Sequence, residues 1–260
     1  MPQQALRDAG RHFVLHDMAV QFTLDSLALA RAQIIYRERS PESNRVGTVS
    51  FDQISGLFRH LSNDSTVLAT DPHCTGDVEA LFMNRGKIKV HFDFNLWDPA
   101  DAFAYSGSLG PMKASVLNRA TRYLGLLTIR SGNIHRLTFD FSANKQASRG
   151  QVGMRYDDLS IKILSLDELS GRLRKKGLAS LVANLLVLNN NNITDTAAPR
   201  SARVTYVRDP YKSVFNLMWK SLFTGVKQIV GMQDASHVKQ ELQQNTLIQK
   251  IQQKKQQNQR

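Results

Sequence analysis

The side chains that could do chemistry in this sequence are few and scattered. His73 and Cys74 stand side by side just after Asp71-Pro72, and a thiolate nucleophile there needs a base brought from elsewhere in the chain, for which no partner is identifiable. His12 and His16 have the i, i+4 spacing that holds a metal on one helix face, yet the alternation that follows them indicates extended chain. Asp98/Asp101 and Asp157/Asp158 resemble the paired carboxylates of acid–base catalysis, but both pairs fall in turn sequences, where aspartate accepts from backbone amides. Gly107-Ser108-Leu109-Gly110 lacks the spacing of a nucleophile elbow, and no GxGxxG, GxxxxGK[ST] or HExxH occurs. The expectation is a protein that is not an enzyme, with no catalytic residue, no metal and no cofactor.

What must position side chains in such a chain is a core. Its 260 residues are 42% hydrophobic, which excludes wholesale disorder, and the single cysteine excludes an internal disulfide framework. No run of eighteen apolar residues marks a spanning helix, and the opening MPQQALRDAG has no apolar stretch of a secretory signal, so the expectation is a chain without its own signal or anchor. The net charge of +12 is lopsided. Residues 1–165 carry 19 basic and 16 acidic side chains, whereas residues 166–260 carry 15 and 6. An anionic partner for the C-terminal third follows from that asymmetry, either a lipid surface or nucleic acid.

Period-two alternation dominates the first two thirds. In Lys87 to Leu96, Ile88, Val90, Phe92, Phe94 and Leu96 share one face and Lys87, Lys89, His91, Asp93 and Asn95 the other, the pattern of a half-buried strand. Similar runs occur at Val20/Phe22/Leu24, Ala30/Ala32/Ile34/Tyr36, Val49/Phe51, Phe103/Tyr105, Leu137/Phe139/Phe141, Val152/Met154/Tyr156 and Leu159/Ile161/Ile163. Turn residues separate them, including Asn84-Arg85-Gly86, Asp98-Pro99, Ser131-Gly132-Asn133 and Asp157-Asp158, and the whole reads as an antiparallel meander. Helical spacing predicts one helix over Pro111 to Leu124, a buried helix over Leu178 to Leu188 and a third from Tyr211 to about Gly231 opened by Asp209-Pro210, with a short strand at Arg203 to Val207 before it. The domain reading is a β-rich groove or sandwich region over 1–165, a helical C-terminal region with a short strand over 166–231, and a Gln/Lys-rich tail over 232–260, a frayed helix or disordered.

Two imbalances point toward function. At least eight strands each carry an apolar face, while the first 165 residues supply one short helix to cover it, so the sheet must fold into a sandwich, close as a barrel, or curve around a hydrophobic ligand. The face of such a groove would be built by Ile88, Val90, Phe92, Phe94, Leu96, Leu137, Phe139, Phe141, Met154 and Tyr156. The helix from Tyr211 places Tyr211, Phe215, Met218, Trp219 and Leu222 in one arc and Lys212, Lys220 and Lys227 opposite. It would lie either over the end of the sheet or at a membrane interface with its lysines on anionic lipid. Nucleic acid is disfavoured, because no exposed aromatics interleave with the basic residues and no recognised module is present.

The order of phrases VHFDFNL (90–96), DAFAYSGSLGPMKASVLN (101–118), IRSGNIHRLTFDFSAN (129–144), GQVGMRYDDLSIKIL (150–164) and KSVFNLMWKSLFTGVKQIVG (212–231) resembles the C-terminal end of AsmA-like envelope proteins in the form common in Bacteroidota. The resemblance covers most of residues 13–231 and lacks an invariant catalytic motif. It implies a long curled β-sheet with an apolar inner groove, a place in the periplasm or cell envelope within a longer protein anchored in the inner membrane, and phospholipid or a membrane surface as partner, with other envelope proteins beside it.

The expected fold is therefore mainly β, a curved antiparallel sheet forming a hydrophobic groove or sandwich with C-terminal α-helices. The expected function is non-enzymatic lipid handling in envelope biogenesis; the alternative is a structural scaffold with a sealed core. Since a one-residue slip of the strand Lys87 to Leu96 would expose five large side chains together, Phe92→Asp is expected to unfold the protein or abolish lipid retention, whereas Lys89→Asp leaves its melting temperature nearly unchanged. Equal tolerance of both changes contradicts the assignment of faces.

Overall fold

A computed structural model describes residues 18–41, 43–164, 185–188 and 199–231. His12, His16, the apolar run before Leu185 and the Gln/Lys-rich tail lie outside the described residues. The structure is mainly antiparallel β, as the alternation predicts. Ten strands form one sheet: β1 (Thr23–Arg39), β2 (Val46–Ser62), β3 (His73–Phe82), β4 (Gly86–Asn95), β5 (Phe103–Leu109), β6 (Met112–Lys113), β7 (Leu127–Ala143), β8 (Ala147–Ile163), β9 (Leu185–Leu188) and β10 (Arg200–Val207). The order is β1-β2-β3-β4-β5-β7-β8-β10, with β6 on β7 and β9 on β8. Nearly every strand pairs with its sequence neighbour, so the sheet is a meander. The described residues form no second sheet, which leaves the curved-sheet half of the expectation and not the sandwich.

Among the described residues three α-helices accompany it: α1 (Ser65–Leu68), α2 (Asn118–Leu124) and α3 (Val214–Ile229). The helix expected over Pro111 to Leu124 is shorter than its spacing suggests. Met112 and Lys113 instead bond to Ile134 and Asn133 as β6, a 3₁₀ turn spans Ala114–Leu117, and only the last two turns are α-helical. Leu185–Leu188, read as the end of a buried helix, is strand β9 against Leu159–Lys162. A short apolar run with no polar face has no periodicity to choose between helix and strand, and an open sheet edge decides it.

Several predicted turns are bulges inside long strands. β1, β2, β7 and β8 each run 17 residues. Asp157-Asp158 and Ser131-Gly132-Asn133 do not end strands; they lie opposite one another where the β7–β8 register shifts, with Gly132 at φ 121° and Asp158 at φ 45°. Arg31 (φ 54°) marks the shift in β1, and Gln53 (φ 52°) the one in β2. Each bulge bends its strand and adds twist. A meander of long strands kinked this way curls, and its apolar face turns inward.

α3 lies on the inner face. Ser213 caps it by accepting from the Asn216 amide, displacing the cap expected at Asp209, whose Oδ1 instead accepts from the Tyr211 amide at 2.9 Å. Leu217, Ser221 and Gly225, at i+4 spacing, are buried, and Leu217 shares one continuous core with Phe141, Val152, Met154, Tyr156 and Val204. β10 and α3 thus contribute Val204, Leu217, Trp219, Phe223 and Ile229 to the same core as the strands before them. A Cβ at Gly225 would sit 2.5 Å from Val152 Cγ2 and 3.0 Å from Val204 Cγ2. Gly225→Ala is therefore expected to destabilise by about 1–3 kcal/mol through overpacking, read as a lower urea midpoint, even though alanine is the better helix former; an unchanged or higher midpoint contradicts the close seating of α3.

Candidate functional site

The inner face is built row by row from cross-strand partners. Phe92 stands opposite Tyr105, and Tyr105 opposite Phe141; Ile88 stands opposite Leu109, and Leu109 opposite Leu137. Their rings form a band across the sheet, with centroid separations of 6.4 Å for Phe58–Phe92, 5.6 Å for Phe92–Phe94, 5.8 Å for Phe94–Phe103, 5.7 Å for Phe103–Tyr105 and 5.1 Å for Tyr105–Phe141. Offset stacking at these distances adds to the area that each ring buries.

A polar clamp holds α3 over this band. Asn216 Nδ2 donates to Tyr36 Oη at 2.7 Å and to Glu38 Oε2 at 3.4 Å, and Lys220 Nζ lies 3.3 Å from the same Glu38 oxygen. Phe215 meets Phe51 edge-on at 5.5 Å and Tyr36 at 5.0 Å. One end of α3 is thereby tied to β1 and β2, while Gly225 seats the helix on β8 and β10. Trp219 stacks on Phe223 at 5.6 Å and faces Phe82 at 6.5 Å; its Nε1 is buried with no acceptor among the described residues.

Helix and sheet do not meet everywhere. A cavity of about 360 Å³ remains between them. Seven of the ten side chains expected to form a groove line it, namely Ile88, Val90, Phe92, Phe94, Leu137, Phe139 and Met154. The other three do not. Phe141 and Tyr156 are packed into the solid core, and Leu96 joins Cys74 and Leu68 in a separate cluster beneath α1. The sequence reading missed the contribution of β1 to β3, where Ile34, Phe51, Phe58, Val78 and Phe82 complete the wall; alternation at Ile34 and Phe51 signalled the strands but not which way they curl.

The apolar arc of α3 faces this cavity. Phe215, Met218, Trp219 and Leu222 line it, Lys220 is committed to Glu38, and Lys227 reaches along the wall with its ammonium 5.4 Å from the Phe223 centroid. Lys212 is half-buried and only Tyr211, 81% exposed, stands clear of the fold. The arc is thus laid on the concave sheet, over its face and not its end. Among the described residues no helix is long and apolar enough to cross a membrane, which leaves spanning by strands unaddressed.

The groups that resembled chemistry are placed apart from the cavity. His73 and Cys74 point to opposite faces: His73 Nδ1 pairs with Asp93 Oδ1 at 2.7 Å outside, and Cys74 is buried inside, where desolvation first and the Asp93 charge second push its thiol up, away from the reactive thiolate. Asp98 Oδ1 accepts from the Ala100 amide at 2.7 Å, a turn role, and Asp157 bonds Asn133 Nδ2 at 2.7 Å with His135 Nε2 at 3.0 Å. On the convex face Glu79 lies between Lys87 at 2.7 Å and Lys89 at 2.5 Å, whose hydrogen bonds lower its carboxyl to about 2.

Comparisons of the chain with protein families, with curated proteins and with solved structures find no match. The cavity must therefore be read from its own chemistry.

Tyr105 and Tyr36 carry a pH signature of that closure. Burial pushes both phenols up to about 12, against smaller downward pulls from Ser148 and Ser221 on Tyr105 and from Asn216 on Tyr36. In the unfolded chain they ionise near 10. The unfolded state then loses protons first, so the stability present below pH 10 falls as pH rises through 12, by on the order of 2 kcal/mol for Tyr105. Tyr105→Phe is expected to flatten the decline in melting temperature between pH 10 and 12; an unaltered slope contradicts a buried, protonated Tyr105.

Proposed function

We propose that this protein is a non-enzymatic lipid-handling module of the cell envelope, which holds or passes phospholipid acyl chain through the cavity between α3 and the curved sheet. The observation that carries the proposal is the cavity wall. Space of this size falls within the range of about 300–1000 Å³ typical of ligand sites, yet its wall is hydrocarbon and aromatic rings apart from Thr121, Lys227, the Trp219 indole N–H and the Tyr105 hydroxyl, which bonds to Ser148. A water needs two to four polar partners to stay, which such a wall does not offer. An alkyl chain gains from every part of it, at about 0.8 kcal/mol per buried methylene. The phrase order resembling AsmA-like envelope proteins supports the same reading, as does the basic excess of the C-terminal third, which favours loading from an anionic membrane surface.

One observation favours the scaffold alternative. α3 fills much of the concavity and is tied at both ends, as a sealing element would be. Lipid analysis of natively purified protein separates the two. The lipid reading expects phospholipid to co-purify at near-stoichiometric yield by native mass spectrometry, and Ala80→Phe, which adds a ring to the wall, to retain the fold by circular dichroism while losing most of it. Wild-type protein that is folded and lipid-free, and that takes up none from vesicles, supports the sealed scaffold.

A further inference from the structure

Resting on that lipid reading, we infer that the cavity takes lipids whose chains are ester-linked, and that it holds a chain carbonyl by a hydrogen bond from the indole N–H of Trp219. The observation that leads there is an imbalance among the few polar groups on an apolar wall. Tyr105 Oη bonds to Ser148 Oγ at 3.1 Å, Thr121 Oγ1 donates to Asn118 Oδ1 at 3.5 Å, and Lys227 has partners of its own, Phe223 among them. Trp219 is buried too, only 8% exposed, yet its Nε1 has no acceptor among the described residues. Buried donors in native proteins are almost always paired, because an unpaired one loses its water and gains nothing in return. The acceptor that Trp219 lacks is one that an occupant brings.

The surroundings of Trp219 narrow the chemistry of that acceptor. The indole is stacked on Phe223 at 5.6 Å and faces Phe82 of β3 at 6.5 Å, so whatever meets its N–H lies among hydrocarbon and rings. A single N–H does not offset the burial of a charge, which excludes phosphate and carboxylate. Water is excluded as well, since it needs two to four polar partners. A neutral carbonyl fits: it accepts from one donor, and in an ester-linked lipid it stands at the head of each chain, where an ether-linked lipid has a methylene. The N–H is closed to water as the side chains stand; it meets the carbonyl as the ring turns about its side-chain torsions into the cleft beside it.

The test uses the full chain and vesicles holding equal amounts of diacyl phosphatidylglycerol and its diether analogue of the same chain length, with native mass spectrometry counting each lipid bound. Comparing the ester-to-ether ratio of the wild type with that of Trp219→Phe cancels the cost of drying the carbonyl, which both proteins bear. A second variant, with benzothienylalanine in place of Trp219, keeps the shape of the indole and removes only the N–H. The ratio is expected to fall about tenfold in either variant, the size of one hydrogen bond to a buried donor. The lipid-free benzothienylalanine protein is expected to melt no lower than the wild type, since the donor it loses has no protein partner. A ratio unchanged from wild type in the two variants, or a lipid-free melting temperature that drops when the N–H alone is removed, overturns the inference while leaving the lipid reading standing. Binding of neither lipid by the wild type removes the lipid reading and this inference with it.

Discussion

A single sheet with one apolar face has to find cover, and the rest of this structure follows from how that is done. Antiparallel sheets usually cover themselves with a second sheet or by closing into a barrel. This one uses a helix from its own C-terminal region. α3 can serve because one of its faces is small, with Ser221 and Gly225 against Val152 and Val204, and its other face is large, with Phe215, Trp219 and Phe223 spanning toward β1 to β3. The clamp of Asn216 and Lys220 on Tyr36 and Glu38 then fixes the helix against the opposite flank of the sheet. A straight helix laid in a doubly curved surface does not touch it everywhere, and the gap is the cavity.

Curvature itself comes from residues that look like turn formers. Gly132 and Asp158 face each other across β7 and β8 at positive φ, and Arg31 and Gln53 do the same service in β1 and β2 at some cost in backbone strain. Without these bulges, 17-residue strands would make a long, gently twisted sheet whose apolar face one 16-residue helix could not cover. Bulge, curl, helix burial and cavity are consequently one mechanical chain. Its outer surface is tied by cross-strand polar contacts, ion pairs of Glu79 with Lys87 and Lys89 and of Asp77 with Arg59 and the contact of Asp77 with His91, which sit in water and set register more than stability.

Much of this was legible in the sequence. Alternation through Ile88, Val90, Phe92 and Phe94 assigned β4 and its inward face correctly, and the mismatch between strand area and helix area required something to enter the concavity. What alternation cannot show is where a strand continues. Ser131-Gly132-Asn133 and Asp157-Asp158 have turn chemistry whether they end a strand or bulge within it, because both need the same backbone angles. The run ending at Leu188 failed for a related reason: with no polar face it fits helix or strand, and pairing with β8 settled it. The clamp was invisible for a third reason. Asn216 and Tyr36 are 180 residues apart, and neither residue type announces a partner at that distance. On the concave face, seven of the ten residues named from the alternation line the cavity, and Leu96, Phe141 and Tyr156 fell elsewhere because curvature closes the core over the sheet's far rows.

The account rests on the space between α3 and the sheet being an alkyl-chain site and not a packing gap. The most direct measurement is an electron-density map of protein purified without lipid-stripping detergent. The account predicts continuous tubular density along Phe92, Leu137 and Trp219. Side chains collapsed into that space, or discrete ordered waters within it, would contradict it.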